Sequence, residues 1–152
     1  MSGEGYDLLS SRAVGTPDLR SFLLDTFAVP EADLFVAPAD RVDAELRDVP
    51  QDLVFATFCT FEPVEGHFAT TLTVGVDTNR ARPIDHAEFA TRFAQHFQAM
   101  VLYGDNEPAG LWTVVLADGT RLLATLDEAD DHYTLTTATA RIPGLPEVGV
   151  TP

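Results

Sequence analysis

The sequence predicts an α+β fold: a two-layer sandwich with a mainly antiparallel sheet of five to six strands and two amphipathic helices on one face. Apolar residues recur at helical spacing in two stretches, 16–29 and 85–102. Short β-prone runs lie between and after them, LVFATFCTF at 53–61, HFATTLTVGV at 67–76, and the pair 111–117 and 120–126. Turn signals such as 62–66 (EPVEG) and Asp118-Gly119 separate these runs, which points to antiparallel hairpins.

At 152 residues the chain suits one domain, which at that length buries roughly 70% of the surface its unfolded form exposes. Residues 1–15 mix Gly, Ser and charge without periodicity and are expected to form a flexible N-terminal arm. The domain then runs over 16–140. Thr16 is placed to cap a helix, with Pro17 at its first position and Asp18 favourable to the dipole. Leu19, Phe22, Leu23 and Phe27 form its apolar stripe, and Pro30 ends it. A short strand is expected at 34–36 and a helical turn at 39–47.

Run 53–61 is apolar on both faces and reads as a central strand, with 67–76 as its returning partner. After a loop over 77–84, Asp85 and Glu88 make a capping box for the second helix. Phe89, Phe93, Phe97 and Met100 mark its inner face through 102. A loop over 103–110, the 111–126 hairpin, an acidic turn at 127–131 and a strand at 132–139 follow. The tail 141–152, rich in Pro and Gly, is expected to be extended or disordered.

Composition excludes several function classes. Twenty-four Asp and Glu face nine basic residues, all Arg, for a net charge of −15. Nucleic acid and anionic membranes are therefore not expected as partners, because phosphate binding needs clustered cations. No run approaches the roughly 18 apolar residues of a membrane span. The first residues lack a basic and an apolar signal region, and Cys59 is the single cysteine. Both point to a reducing cytoplasm.

No catalytic residue, cofactor site or metal site is expected. Cys59 sits in an apolar run between Phe58 and Phe61, which suits a packed thiol rather than a nucleophile. His67, His86, His96 and His132 form no paired metal-ligand spacing. Residues 127–131 (DEADD) lack the spaced oxygens, central Gly and terminal Glu of a calcium loop. Phosphate-loop, dinucleotide and nucleophile-elbow motifs are missing.

Connectivity supplies the site expectation. Following the strands back and forth, with helix 85–102 crossing the sheet between them, places turn 62–66, loop 103–110 and turn 127–131 at one end of the sheet. Glu62, Glu65, Asp105, Glu107, Asp127, Glu128, Asp130 and Asp131 would then share an acidic rim, with the negative end of the second helix beside it. Arg80, Arg82 and Arg121 would lie opposite. Such a rim favours a basic protein partner, met faster at low salt. The leading expectation is a non-catalytic binding protein, monomer or homodimer, that docks on and neutralises that partner. Bacterial toxin-immunity proteins are of this type, though the chain matches none of them residue by residue. An acidic escort chaperone for a secreted protein is one alternative. A ligand-binding or enzymatic pocket drawing on His67, His132, Tyr103 and Trp112 is another.

Overall fold

The two apolar stripes become helices in the computed structural model, which describes residues 3–50, 52–104 and 111–151. Helix α1 (Thr16–Phe27) buries Leu19, Phe22, Leu23 and Phe27. Its cap differs from expectation: Gly15 is the N-cap residue, and no side chain satisfies the free N–H groups. Thr16 is instead the first helical residue. A short helix, α2 (Val42–Leu46), lies within the expected helical turn. Helix α3 (His86–Phe97) starts as expected, with the Asp85 carboxylate accepting the Glu88 N–H at 2.6 Å. It ends at Phe97 rather than 102, because Gln98 turns left-handed at φ 50°.

The sheet is larger and more mixed than expected. Among the described residues it has ten strands: β1 (Gly3–Ser10), β2 (Leu34–Pro38), β3 (Thr57–Pro63), β4 (Glu65–Gly66) and β5 (Thr70–Asp77), then β6 (Val101–Tyr103), β7 (Trp112–Val115), β8 (Arg121–Ala129), β9 (His132–Ala138) and β10 (Gly149–Val150). Their order is β10-β9-β8-β7-β6-β1-β5-β3-β2, with β4 on β9. The pairs β2/β3, β4/β9 and β9/β10 are parallel.

The largest correction concerns the expected arm. Residues 3–10 form β1, inserted between β5 and β6 near the middle of the sheet. Buried Tyr6 and Leu8 alternate with exposed Gly5 and Asp7, the period-two pattern of a strand covered on one face. The Gly and Ser around that pattern obscure it in the sequence. Two further boundaries move. Strand β3 begins at Thr57, leaving Leu53 and Val54 exposed. Strand β5 begins at Thr70, because residues 64–67 are used elsewhere. The 111–126 hairpin forms, but its loop is 117–119 rather than a two-residue turn, since the Leu116 N–H reaches the Thr120 carbonyl at 2.8 Å.

Each face of the sheet has its own apolar core. Helices α1 and α3 cover one face, where Phe22, Phe27, Phe89 and Phe93 meet Tyr6, Leu8, Leu72 and Val74. The other face curls inward on itself. β9 comes round to pair with β4, the direct continuation of β3, in register Glu65↔His132 and Gly66↔Tyr133. The result is a partly closed barrel containing Leu9, Phe68, Leu102, Val114, Leu122 and Leu135. Gly66 makes the closure feasible. It has φ 102°, and a Cβ there would lie 2.2 Å from the Tyr133 carbonyl oxygen. The expected loose tail also serves this core: Ile142 and Val148 are buried in it, and β10 pairs with β9.

Candidate functional site

Closure of the barrel brings turn 62–66 against the β8–β9 turn. The Glu65 N–H donates to the Asp131 carbonyl at 2.8 Å, and the His67 N–H to the Tyr133 carbonyl at 2.9 Å. Glu65, Asp130 and Asp131 therefore line one surface depression together with His132. Asp130 holds a left-handed backbone at φ 55°, a conformation that Asp and Asn tolerate best among side-chain-bearing residues. Glu62 sits near the end of β3, opposite Thr71 on β5.

Strand alternation divides the remaining acids. Glu128 is the cross-strand partner of Tyr133 and shares a face with Leu126, which packs on the barrel core. Asp127 pairs with Thr134 and points to the other face. Burial, together with the carboxylates of Glu128, Asp131 and Glu62, pushes the Tyr133 phenol above its ordinary value. Acids from β3, β8 and the β8–β9 turn thus surround one half-buried tyrosine. Asp105 and Glu107 lie outside the described residues.

Glu62, Glu65, Asp127, Glu128, Asp130 and Asp131 are all exposed. Ion pairs among the described residues join Arg20 to Glu31, Arg41 to Glu45, His67 to Glu147, Arg80 to Asp33 and Arg92 to Glu88. None reaches those six acids. Arg82 instead donates to the Asp25 and Thr26 carbonyls at the end of α1, and Arg121 to Thr91 on α3. Arg12 donates to the Phe97 carbonyl.

One element of the expected electrostatics is reversed. Because 101–103 is a strand, the chain returns along α3 before the loop that follows Tyr103. His86, at the start of α3, packs against Tyr103 with tilted rings whose centroids are 4.8 Å apart. His86, Tyr103, Glu128 and Tyr133 line one cleft, so the positive end of α3, not its negative end, lies beside Glu128.

Of the residues considered for an alternative pocket, Tyr103 and Trp112 line one cleft, whereas the two histidines are engaged elsewhere. His67 Nδ1 accepts the Leu135 N–H at 3.0 Å, and Nε2 lies 3.0 Å from Glu147. His132 Nδ1 faces the Thr134 hydroxyl. The Cys59 thiol is buried, and burial pushes its pKa up to about 12, which suppresses the thiolate. Among the described residues no group of three or more His, Cys, Asp and Glu is placed to hold a metal ion. No helix among them is long and apolar enough to cross a membrane.

Sequence reasoning missed Asp7 and Tyr133 and counted Trp112 only as a scattered group. Tyr6, Asp7 and Leu8 carry a short alternation that would have placed Asp7 on a strand. The approach of Tyr133 to Glu62 depends on barrel closure, for which Gly66 is the sole local signal. Comparison with family models, curated proteins and solved structures gives no match.

Proposed function

We propose that this chain is a non-catalytic binding protein whose acidic rim docks on and neutralises a basic protein partner, in the manner of a bacterial toxin-immunity protein. One observation carries the reading: Glu65 from turn 62–66 and Asp130 and Asp131 from the β8–β9 turn meet on one surface, and no arginine among the described residues forms an ion pair with them. Seven of the arginines are bonded elsewhere in the fold. The rim therefore keeps its field, and an unscreened field of one sign speeds encounter with a partner of the other.

The experiment is affinity capture of basic proteins at low and high salt, with wild-type protein beside the Glu65→Gln, Asp130→Asn, Asp131→Asn triple variant. Asparagine suits φ 55° at position 130, so the turn should survive the change. A specific basic protein held by the wild type at low salt, and lost by the variant, supports the proposal. Equal capture by both proteins removes the rim from it.

A further inference from the structure

Among the described residues β1 and β6 pair only briefly. β1 pairs with β5 along all of Gly3–Ser10, but with β6 only at Leu9↔Leu102 and Ser10↔Val101. Beyond those pairs no further β1/β6 pairing occurs among the described residues, and the Asp7 carbonyl is met by His86 Nε2 at 3.2 Å. A cleft of about 370 Å³ lies beside these pairs, in the size range of small-ligand pockets. Asp7 lies on one side, Gly104 and Trp112 on the other, and Glu128 and Tyr133 approach from β8 and β9.

The cleft is more than a gathering of acids. Aromatic rings line it beside leucines, and the fold seats one of these rings. A Cβ at Gly104 would lie 2.8 Å from the Trp112 ring, so the indole rests against a backbone that has no side chain. Trp112 and Tyr133 are each half-buried, the state in which a ring is held yet can still be contacted. No hydrogen bond or ion pair among the described residues engages the Asp7 or Glu128 carboxylate, and no arginine or lysine lines the cleft.

We infer that this cleft receives an arginine side chain of the basic partner, its guanidinium against Trp112 and Tyr133 with Asp7 and Glu128 as counter-charges. The inference rests on the proposed function and names its anchor point. Arginine fits better than lysine because its planar, weakly hydrated guanidinium stacks on aromatic faces while bonding carboxylates through its fork. A part-enclosed arginine between rings is also the kind of contact on which binding energy concentrates.

Trp112 is the sole tryptophan, so its fluorescence reports on this cleft alone. The test titrates the protein with a hexa-arginine peptide, following Trp112 emission and, in parallel, heat by calorimetry. A hexa-citrulline peptide and spermidine serve as controls. The expected result is a saturable emission change with hexa-arginine and none with hexa-citrulline. Asp7→Asn with Glu128→Gln should weaken it at least about tenfold, equivalent to ~1.4 kcal/mol. The rim variant Glu65→Gln, Asp131→Asn should bind more weakly while keeping the full emission change at saturation. Calorimetric binding that leaves Trp112 emission unchanged, or that Asp7→Asn with Glu128→Gln does not weaken, overturns the cleft and leaves the rim reading standing. No calorimetric binding overturns both. Spermidine producing the same emission change at lower concentration would overturn the peptide side chain as occupant.

Discussion

The core under the helices and the core inside the barrel share one sheet but are assembled differently. The helix-side core draws on residues three and four apart along α1 and α3, with Phe22, Phe27, Phe89 and Phe93 in mutual ring contact. Each helix brings several anchors at once, so the face is set locally. The barrel core is gathered from β1, residues 64–68, β6 to β9 and the tail. It holds only if distant segments close on one another. The acidic rim and the aromatic cleft both stand on this second face, so binding surface and long-range closure are coupled.

The contrast can be broken most severely on the helix side. Phe89 is fully buried among Tyr6, Phe22, Phe27 and Phe93. Phe89→Ala should cost about 4 kcal/mol in urea denaturation, with transfer and cavity terms adding. The rim should be unaffected in whatever fraction remains folded.

Gly66→Ala strikes the other face. The new methyl meets the Tyr133 carbonyl at 2.2 Å in a backbone region that disfavours any side chain. Strain and overpacking together should cost about 3 kcal/mol. Unlike Phe89→Ala, this change should also separate Glu65 from Asp131 and weaken partner capture. A stable Gly66→Ala protein with unchanged capture would show that closure at β4/β9 does not assemble the rim.

These two residues also show what was legible in the sequence. Phe89 lies in a stripe whose 3.6-residue period can be read without structure, and the Asp85 cap confirms where that helix begins. Turn 62–66 was legible as a turn, but its expected place beside 127–131 rested on a helix crossing the sheet to residue 102. The strands in fact carry turn 62–66 to the Ser10 end of β1 and 127–131 toward its Gly3 end, and barrel closure brings the two together. The pairing with β9 was not legible, because a bridge between Gly66 and Tyr133 spans the chain and leaves no periodic trace. β1 was missed for another reason: Gly3, Gly5 and Ser10 resemble a linker in composition, while Tyr6 and Leu8 give only a brief alternation. Ending α3 at residue 102 was a smaller error with a larger consequence, since β6 reverses the chain and turns the helix dipole around.

The two helix starts allow a finer test. Asp85→Ala removes a cap that accepts the Glu88 N–H, and should cost about 1 kcal/mol. Thr16→Ala removes no cap bond from α1, so thermal melting should change far less. Equal losses at both positions would mean that Thr16 caps α1 in solution.

The smallest effect reports on charge around Tyr133. Its phenol is held above the ordinary value of about 10 by burial and by Glu128, Asp131 and Glu62. The folded state therefore retains this proton more tightly than the unfolded chain. Its contribution to stability is present below pH about 10 and is lost as pH rises through the higher folded value. Tyrosinate absorbance should show one of the three tyrosines moving to lower pH in Glu62→Gln, Glu128→Gln, Asp131→Asn. No movement would mean these carboxylates do not face the phenol.

The acids at the barrel mouth, rather than the chain's acidity at large, are proposed to form the binding surface. Amide chemical-shift mapping of isotope-labelled protein against a hexa-arginine peptide at low salt tests it directly. Perturbations should concentrate at residues 62–66 and 127–133 and at Asp7 and Trp112, fading as salt is raised. Shifts spread equally over exposed acids elsewhere, such as Asp18, Asp25, Asp40 and Asp43, would contradict it.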